Sequence, residues 1–200
     1  MKENWLFIKT PDHYGIPEII QFDNNEINYF IVEKDKENSS LKIKVENRSK
    51  NLTEIEHQFI NQNRIRFFEK GKTSYFLSDD ESITEDSIFE NDYQKLNPTE
   101  TKLTEIEIQS LKFELNWNGE KNIIRFNEDL DPPYMQEINK RMNRDGRKIL
   151  LERLNETLFV SLYENAILDK LIPIKYVDNQ RIILYGFPKE PYEIDCQITE

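Results

Sequence analysis

Two hundred residues with a formal charge of −11 and a pI near 4.9 allow one domain or two small ones. A field of that sign repels nucleic acid and anionic lipid at long range, which excludes a general role on either. Cys196 is the only cysteine, so internal disulfides, a CxxC pair and cysteine-rich zinc sites are all excluded, and a reducing compartment is expected.

The N-terminal stretch places Glu3 beside a short apolar run that Lys9 ends. Neither a signal-peptide core nor a membrane span can be drawn there, and the chain reads as cytoplasmic. From Trp5 onward, short runs of alternating or fully apolar residues recur about every ten residues between polar turns, the pattern of antiparallel strands. Strands are expected at 5–9, 18–22, 27–32, 41–45, 57–60, 64–68 and 74–77. Asp23, Asn24 and Asn25 close a hairpin, because Asn tolerates positive φ. Leu41, Ile43 and Val45 face one way and Lys42 and Lys44 the other, giving that strand one wet side.

Residues 78–104 interrupt this rhythm. Asp79, Asp80, Glu81, Glu85, Asp86, Glu90 and Asp92 accumulate with no base among them, and Asn97-Pro98 reads as a connector. The boundary between a first β unit (1–96) and a second (97–200) is placed here. At Thr104, a capping pattern with Glu107 argues for a helical turn and the alternation of Ile106 and Ile108 argues equally for a strand. Strands resume at 111–117, 122–126, 149–154, 158–163, 173–177, 181–185 and 192–194, with a hairpin turn at Asn118-Gly119. One amphipathic helix is expected near 134–145: Tyr134, Met135, Ile138 and Met142 share a stripe, with Gly146 at the C-cap. The fold class is therefore mostly β, with up-and-down strands forming one barrel or sandwich, or two related β units.

A weak internal repeat underlies the second alternative. Residues 55–77 align with 172–194 at an offset of 117, and 19–23 with 123–127 at an offset of 104. The difference, 13 residues, is about the length of the expected helix.

Trp5, the strand pattern up to Leu77 and the segment Tyr93-Gln94-Lys95-Leu96 resemble the bacterial lipocalin-like proteins. Met-Lys-Glu-Asn stands where that family has a Gly near the Trp. The resemblance implies a small β-barrel for an apolar ligand, lined by Phe22, Tyr29, Phe30, Phe59 and Phe67.

Asp12-His13-Tyr14 is a local acid–base candidate, but Pro11, Gly15 and Pro17 mark it as a loop, and sequence neighbours point apart in extended chain. His57 reads as a strand residue, and two histidines without metal-ligand spacing nominate no zinc site. The acidic run lacks the spacing and glycine of a calcium loop. Lys140, Arg141, Arg144, Arg147 and Lys148 form a basic stripe expected to pair internally with the acidic loops, and Glu128, Asp129 and Asp131 add a second acidic patch beside the expected helix. No catalytic residue, cofactor site or metal site is assigned.

The leading expectation is a non-enzymatic module that binds a basic protein. Its surface would comprise Asp79, Asp80, Glu81, Glu85, Asp86, Glu90 and Asp92, with Tyr185, Phe187 and Tyr192 on a C-terminal loop. In charge and size the chain resembles the acidic immunity proteins that neutralise bacterial toxins by covering a basic cleft. A carrier of a small apolar ligand is the alternative.

Overall fold

The apolar runs Trp-Leu-Phe-Ile, Ile-Ile and Tyr-Phe-Ile-Val are nearly continuous, as in strands covered on both faces. They form β1 (Asn4–Ile8), β2 (Glu18–Asp23) and β3 (Glu26–Lys34) of the first sheet. The computed structural model describes residues 3–8, 17–34, 40–78, 81–117, 120–186 and 193–199. β4 (Leu41–Asn51), β5 (Glu56–Asn61), β6 (Arg64–Ser78) and β7 (Glu81–Lys95) complete the sheet, in the order β4-β3-β2-β1-β7-β6-β5. Asn24 closes the β2–β3 hairpin at a φ of 56°.

The second sheet contains β8 (Glu100–Thr101), β9 (Lys112–Trp117), β10 (Glu120–Arg125), β11 (Arg147–Leu154), β12 (Thr157–Glu164), β13 (Ile167–Val177), β14 (Arg181–Tyr185) and β15 (Glu193–Thr199). Its order is β10-β9-β15-β14-β13-β12-β11, with β8 parallel on β13. Helix α1 (Glu105–Gln109) precedes β9, and α2 (Pro133–Arg141) lies between β10 and β11. Beyond β10 the chain meets β11 again: Asn127 N donates to Ile149 O at 2.8 Å and Leu130 N to Arg147 O at 2.9 Å, flanking an Asp129/Lys148 bridge. The sheet is thus a nearly closed antiparallel barrel. Pro173 is the last β13 residue paired with β12, and Ile174 begins the pairing with β14. A residue without an N–H suits that exchange of partners.

In the first sheet the last strand returns to the first, β7 to β1, and in the second β15 returns to β9, the first strand of its antiparallel path. If β9 and β10 are set over β1 and β2, and β11–β15 over β3–β7, the two sheets have the same cyclic order. They open at different places, the second between β10 and β11, where α2 lies.

Pleat parity sets the cores. Leu6, Ile8, Ile19 and Val32 turn to one face of the first sheet and pack on Phe159, Tyr163, Leu168 and Leu171 of the second. Trp5, Ile20, Ile27 and Tyr29 turn to the other face and pack with Ile65, Phe67 and Tyr93. The barrel interior holds Phe113, Ile149, Val160, Ile174 and Leu184, with Ile108 of α1 at one end. Polar ties among the described residues cross between the sheets. Buried Arg64 donates from Nη2 to Gly186 O at 2.8 Å. Lys34 Nζ lies 3.5 Å from Glu152, whose other oxygen accepts from Tyr163 at 2.7 Å.

Three expectations are corrected. The acidic residues 81–93 do not interrupt the strand pattern but form most of β7, a fifteen-residue strand paired along its length with β6. Residues 64–68 and 74–77 are parts of one strand, β6. Helix α2 ends at Arg141 rather than near 145, and Asn143 at a φ of 52° performs the exit expected of Gly146. Its stripe also faces outward: Tyr134, Ile138 and Met142 are exposed, and buried Asn139 donates to Asp131 Oδ2 at 2.8 Å. A polar contact, not the apolar stripe, anchors this helix. The segment after Thr104 is helical, because Thr104 and Glu107 close a reciprocal capping box. The Asn118-Gly119 turn lies outside the described residues.

Candidate functional site

The β6–β7 hairpin outruns its sheet. β5 pairs with β6 only as far as Phe68, and β1 pairs with β7 only from Asp92. Residues 69–78 and 81–91 therefore form a two-stranded arm with no third strand among the described residues. At about 3.3 Å per residue it reaches some 30 Å. Such a ribbon is marginal alone, and its root is heavily tied. Tyr93 donates to Glu18 at 2.7 Å, Glu18 pairs with Arg48 at 3.0 Å, and the Arg48 guanidinium lies 4.1 Å from the Tyr29 ring centroid. Burial, followed by the charge of Glu18, holds the Tyr93 phenol far above its ordinary range. Burial and then the charge of Glu69 push Tyr29 up to about 12, with Arg48 opposing.

Along the arm Thr73 and Ser87 share a hydrogen bond at 2.7 Å, as do Ser74 and Thr84 at 3.0 Å. A Cβ on Gly71 would lie 2.5 Å from Phe89 Cε2, so the glycine makes room for the ring. Apolar side chains nevertheless remain in solvent: Tyr75 is 52% exposed, Ile83 47%, Phe89 45% and Ile88 65%. Tyr75, Ile83 and Phe89 share one face by register.

The carboxylates expected to form one surface are divided. Glu85 and Asp86 are exposed on the arm, on opposite faces, with Thr73 and Lys72 across from them. Arg66 holds Asp92 through two bonds, at 2.6 and 3.2 Å, and Glu90 at 2.7 Å. Asp92 is 1% exposed and belongs to the packed root, not to a docking surface. Asp79, Asp80 and the side chain of Glu81 lie outside what is described, as do Phe187, Tyr192 and Asp12-His13-Tyr14. Tyr185 is buried at 8% exposure, its hydroxyl 3.4 Å from Asn97, because β14 carries it into the region between the sheets. The sequence pattern missed Tyr75, Ile83, Ile88 and Phe89. Their alternation was legible, but their exposure depends on where β1 and β5 stop.

Of the residues expected to line a ligand cavity, Tyr29 and Phe67 are packed core and Phe59 is 58% exposed. Adjacent residues of a strand cannot both point inward, as Tyr29 and Phe30 would have to. His57 is exposed on β5, its Nδ1 2.9 Å from Ile55 O. Cys196 is buried, its thiol pushed up to about 12 by burial and then by Asp195.

A cavity of about 440 Å³ opens instead into the barrel. Phe113, Ile124, Ile149, Val160, Ile172 and Leu184 line it, and Leu130, Leu162, Arg147 and Lys170 complete the lining. Asp131 fixes Arg147: Oδ1 accepts from Nε at 2.7 Å and Oδ2 from the backbone N at 3.0 Å. The hydrogen bond from Arg147 holds the Asp131 carboxyl below the usual carboxylate range, and Asp129 and Glu164 also act on Arg147. Of the other bases in the expected stripe, Arg141 pairs with Glu137 at 2.5 Å.

Among the described residues, no three His, Cys, Asp or Glu side chains converge as a metal site, and no helix is long and apolar enough to cross a membrane. The chain matches no family model, no curated protein and no solved structure.

Proposed function

We propose that the protein is a non-enzymatic cytoplasmic binding module whose β6–β7 arm captures an extended, basic segment of a partner protein. One observation carries this reading: β7 has no neighbour on its outer side from Glu81 to Asn91 among the described residues, and no basic residue occurs along that stretch. An open edge offers backbone donors and acceptors to an added strand, while side chains on alternate positions choose the partner. Tyr75, Ile83 and Phe89 supply an apolar face for that strand to cover. Glu85 and Asp86 supply the charge preference and disfavour pairing of two β7 edges, since like charges opposite one another destabilise a ladder. In its sharper form the arm acts as an immunity protein would, occluding a basic site on a toxin.

The test uses two synthetic eight-residue peptides, alternating Lys with Val and Glu with Val. The Lys peptide is expected to bind, with an association rate that falls as salt rises, and to protect β7 amides between 83 and 91 from hydrogen exchange. Changing Glu85 and Asp86 to Lys should abolish that preference. Equal binding of both peptides, or protection anywhere but the arm, overturns the proposal.

A further inference from the structure

The arm has a second open edge, along β6. β5 leaves β6 at Phe68, and the next two positions are crowded: Lys50 Nζ donates to Glu69 at 2.5 Å, and Glu54 shares a groove with Lys70. From Gly71 to Phe76 β6 keeps a regular register with β7 and has no other neighbour among the described residues; beyond Phe76 the register shifts. These six residues contain no carboxylate and a single charge, Lys72. Ser74 and Tyr75 are exposed, and Thr73, Tyr75 and Phe76 are residue types that favour strands. Edges that stay unpaired are commonly guarded by charges along their length. β7 is guarded in this way by Glu81, Glu85 and Asp86, whereas β6 from Thr73 to Phe76 carries no charge at all.

We infer that β6 pairs antiparallel with β6 of a second copy of this chain, joining two arms into a four-stranded ribbon in the order β7-β6-β6-β7. A two-stranded ribbon is marginal alone and gains from further strands. Geometry selects which edges meet. An antiparallel ladder between β6 of one copy and β7 of another would lay both arms side by side in the same direction. Each body, a seven-stranded sheet packed on a barrel, would then have to fit within the width of one arm, about 10 Å. β7 against β7 crowds Glu81, Glu85 and Asp86 of the two copies together. β6 against β6 points the arms in opposite directions, sends the bodies to opposite ends of the ribbon and opposes no carboxylates. The two-fold axis makes this contact self-complementary, with Thr73 and Tyr75 of both copies on one face. Because it uses β6 alone, both β7 edges stay outward, and the dimer presents two of them to basic strands.

Sedimentation equilibrium of the full chain should show a monomer–dimer equilibrium that strengthens as salt rises, because screening reduces the repulsion between two chains of charge −11. Capture of the Lys peptide by β7 has the opposite salt dependence, so the two contacts are told apart by sign. Tyr75→Lys, at an exposed position, should weaken the dimer about tenfold or more by setting like charges against each other. Glu85→Lys with Asp86→Lys should leave the dimer in place. Thr73→Cys, Ser74→Cys and Tyr75→Cys should cross-link between copies under mild oxidation, most readily at the position nearest the two-fold axis. Ile83→Cys should not, since the two β7 strands would stand about 14 Å apart and a disulfide spans at most about 7 Å between Cα atoms. A chain that stays monomeric at every concentration and salt, a dimer indifferent to Tyr75→Lys, or cross-linking through Ile83→Cys overturns the inference. Protection of β6 amides by the Lys peptide in a monomeric protein would give this edge to the partner's strand and overturn it equally.

Discussion

Arg64 and Gly186 lie 122 positions apart, yet the guanidinium of one donates to the carbonyl of the other at 2.8 Å with Arg64 only 1% exposed. The first residue of β6 therefore reads the end of β14, and the two sheets are locked where their cores meet. Arg64 also bonds Gln94 on β7 at 3.4 Å, so the tie includes the root of the arm.

Arg64→Met should destabilise the protein by roughly 2–3 kcal/mol, because a buried carbonyl loses a charged donor. Urea unfolding measures this. A change below about 0.5 kcal/mol, the scale of an ordinary surface substitution, would show that the tie contributes little.

Glu152 is buried against Lys34 and Tyr163. Tyr163→Phe removes its 2.7 Å hydrogen bond with little change in volume and should cost about 1–3 kcal/mol. Tyr163→Phe combined with Glu152→Gln should recover part of that loss, since a neutral amide costs less to bury than a carboxylate. A double-mutant cycle with zero coupling would contradict the contact.

Asp131 joins α2, Gly146 and β11 through one carboxylate. Gly146 has a φ of +69°, and a Cβ there would lie 2.6 Å from Asp131 Oδ2. Gly146→Ala should therefore cost roughly 1–3 kcal/mol and loosen α2. The folded carboxyl titrates below its unfolded value of about 3.9. Its contribution is complete above that pH and is lost as pH falls through the depressed folded value. Faster hydrogen exchange in α2 near pH 3 than at pH 6, relative to β12, would report this loss; exchange that rises equally in both elements would refute it.

Cys196 should be inert to thiol reagents in the folded protein at pH 8, since burial holds it protonated with a value of about 12. It should react fully in denaturant. Modification within minutes under native conditions would show that β15 opens readily.

Much of the architecture was legible locally. Asn24 marked its hairpin, Leu41 and Ile43 marked the covered face of β4, and Thr104 with Glu107 carried the elements of the capping box. The arm was not, because an acidic run is a reliable sign of a connector only when no neighbouring strand supplies its ladder, and β6 supplies one. Glu85 and Asp86 sit comfortably in a strand whose two faces are both in water.

Alternation and turn chemistry by themselves determined that this chain is a series of antiparallel strands, since each is a property of a few adjacent residues. Tertiary structure alone decided that Asp92 and Tyr185 are buried, that the α2 stripe faces solvent and that the cavity lies in the second sheet. Those outcomes depend on where partner strands end and which pleat faces meet, and such relations exist only between segments far apart in the chain.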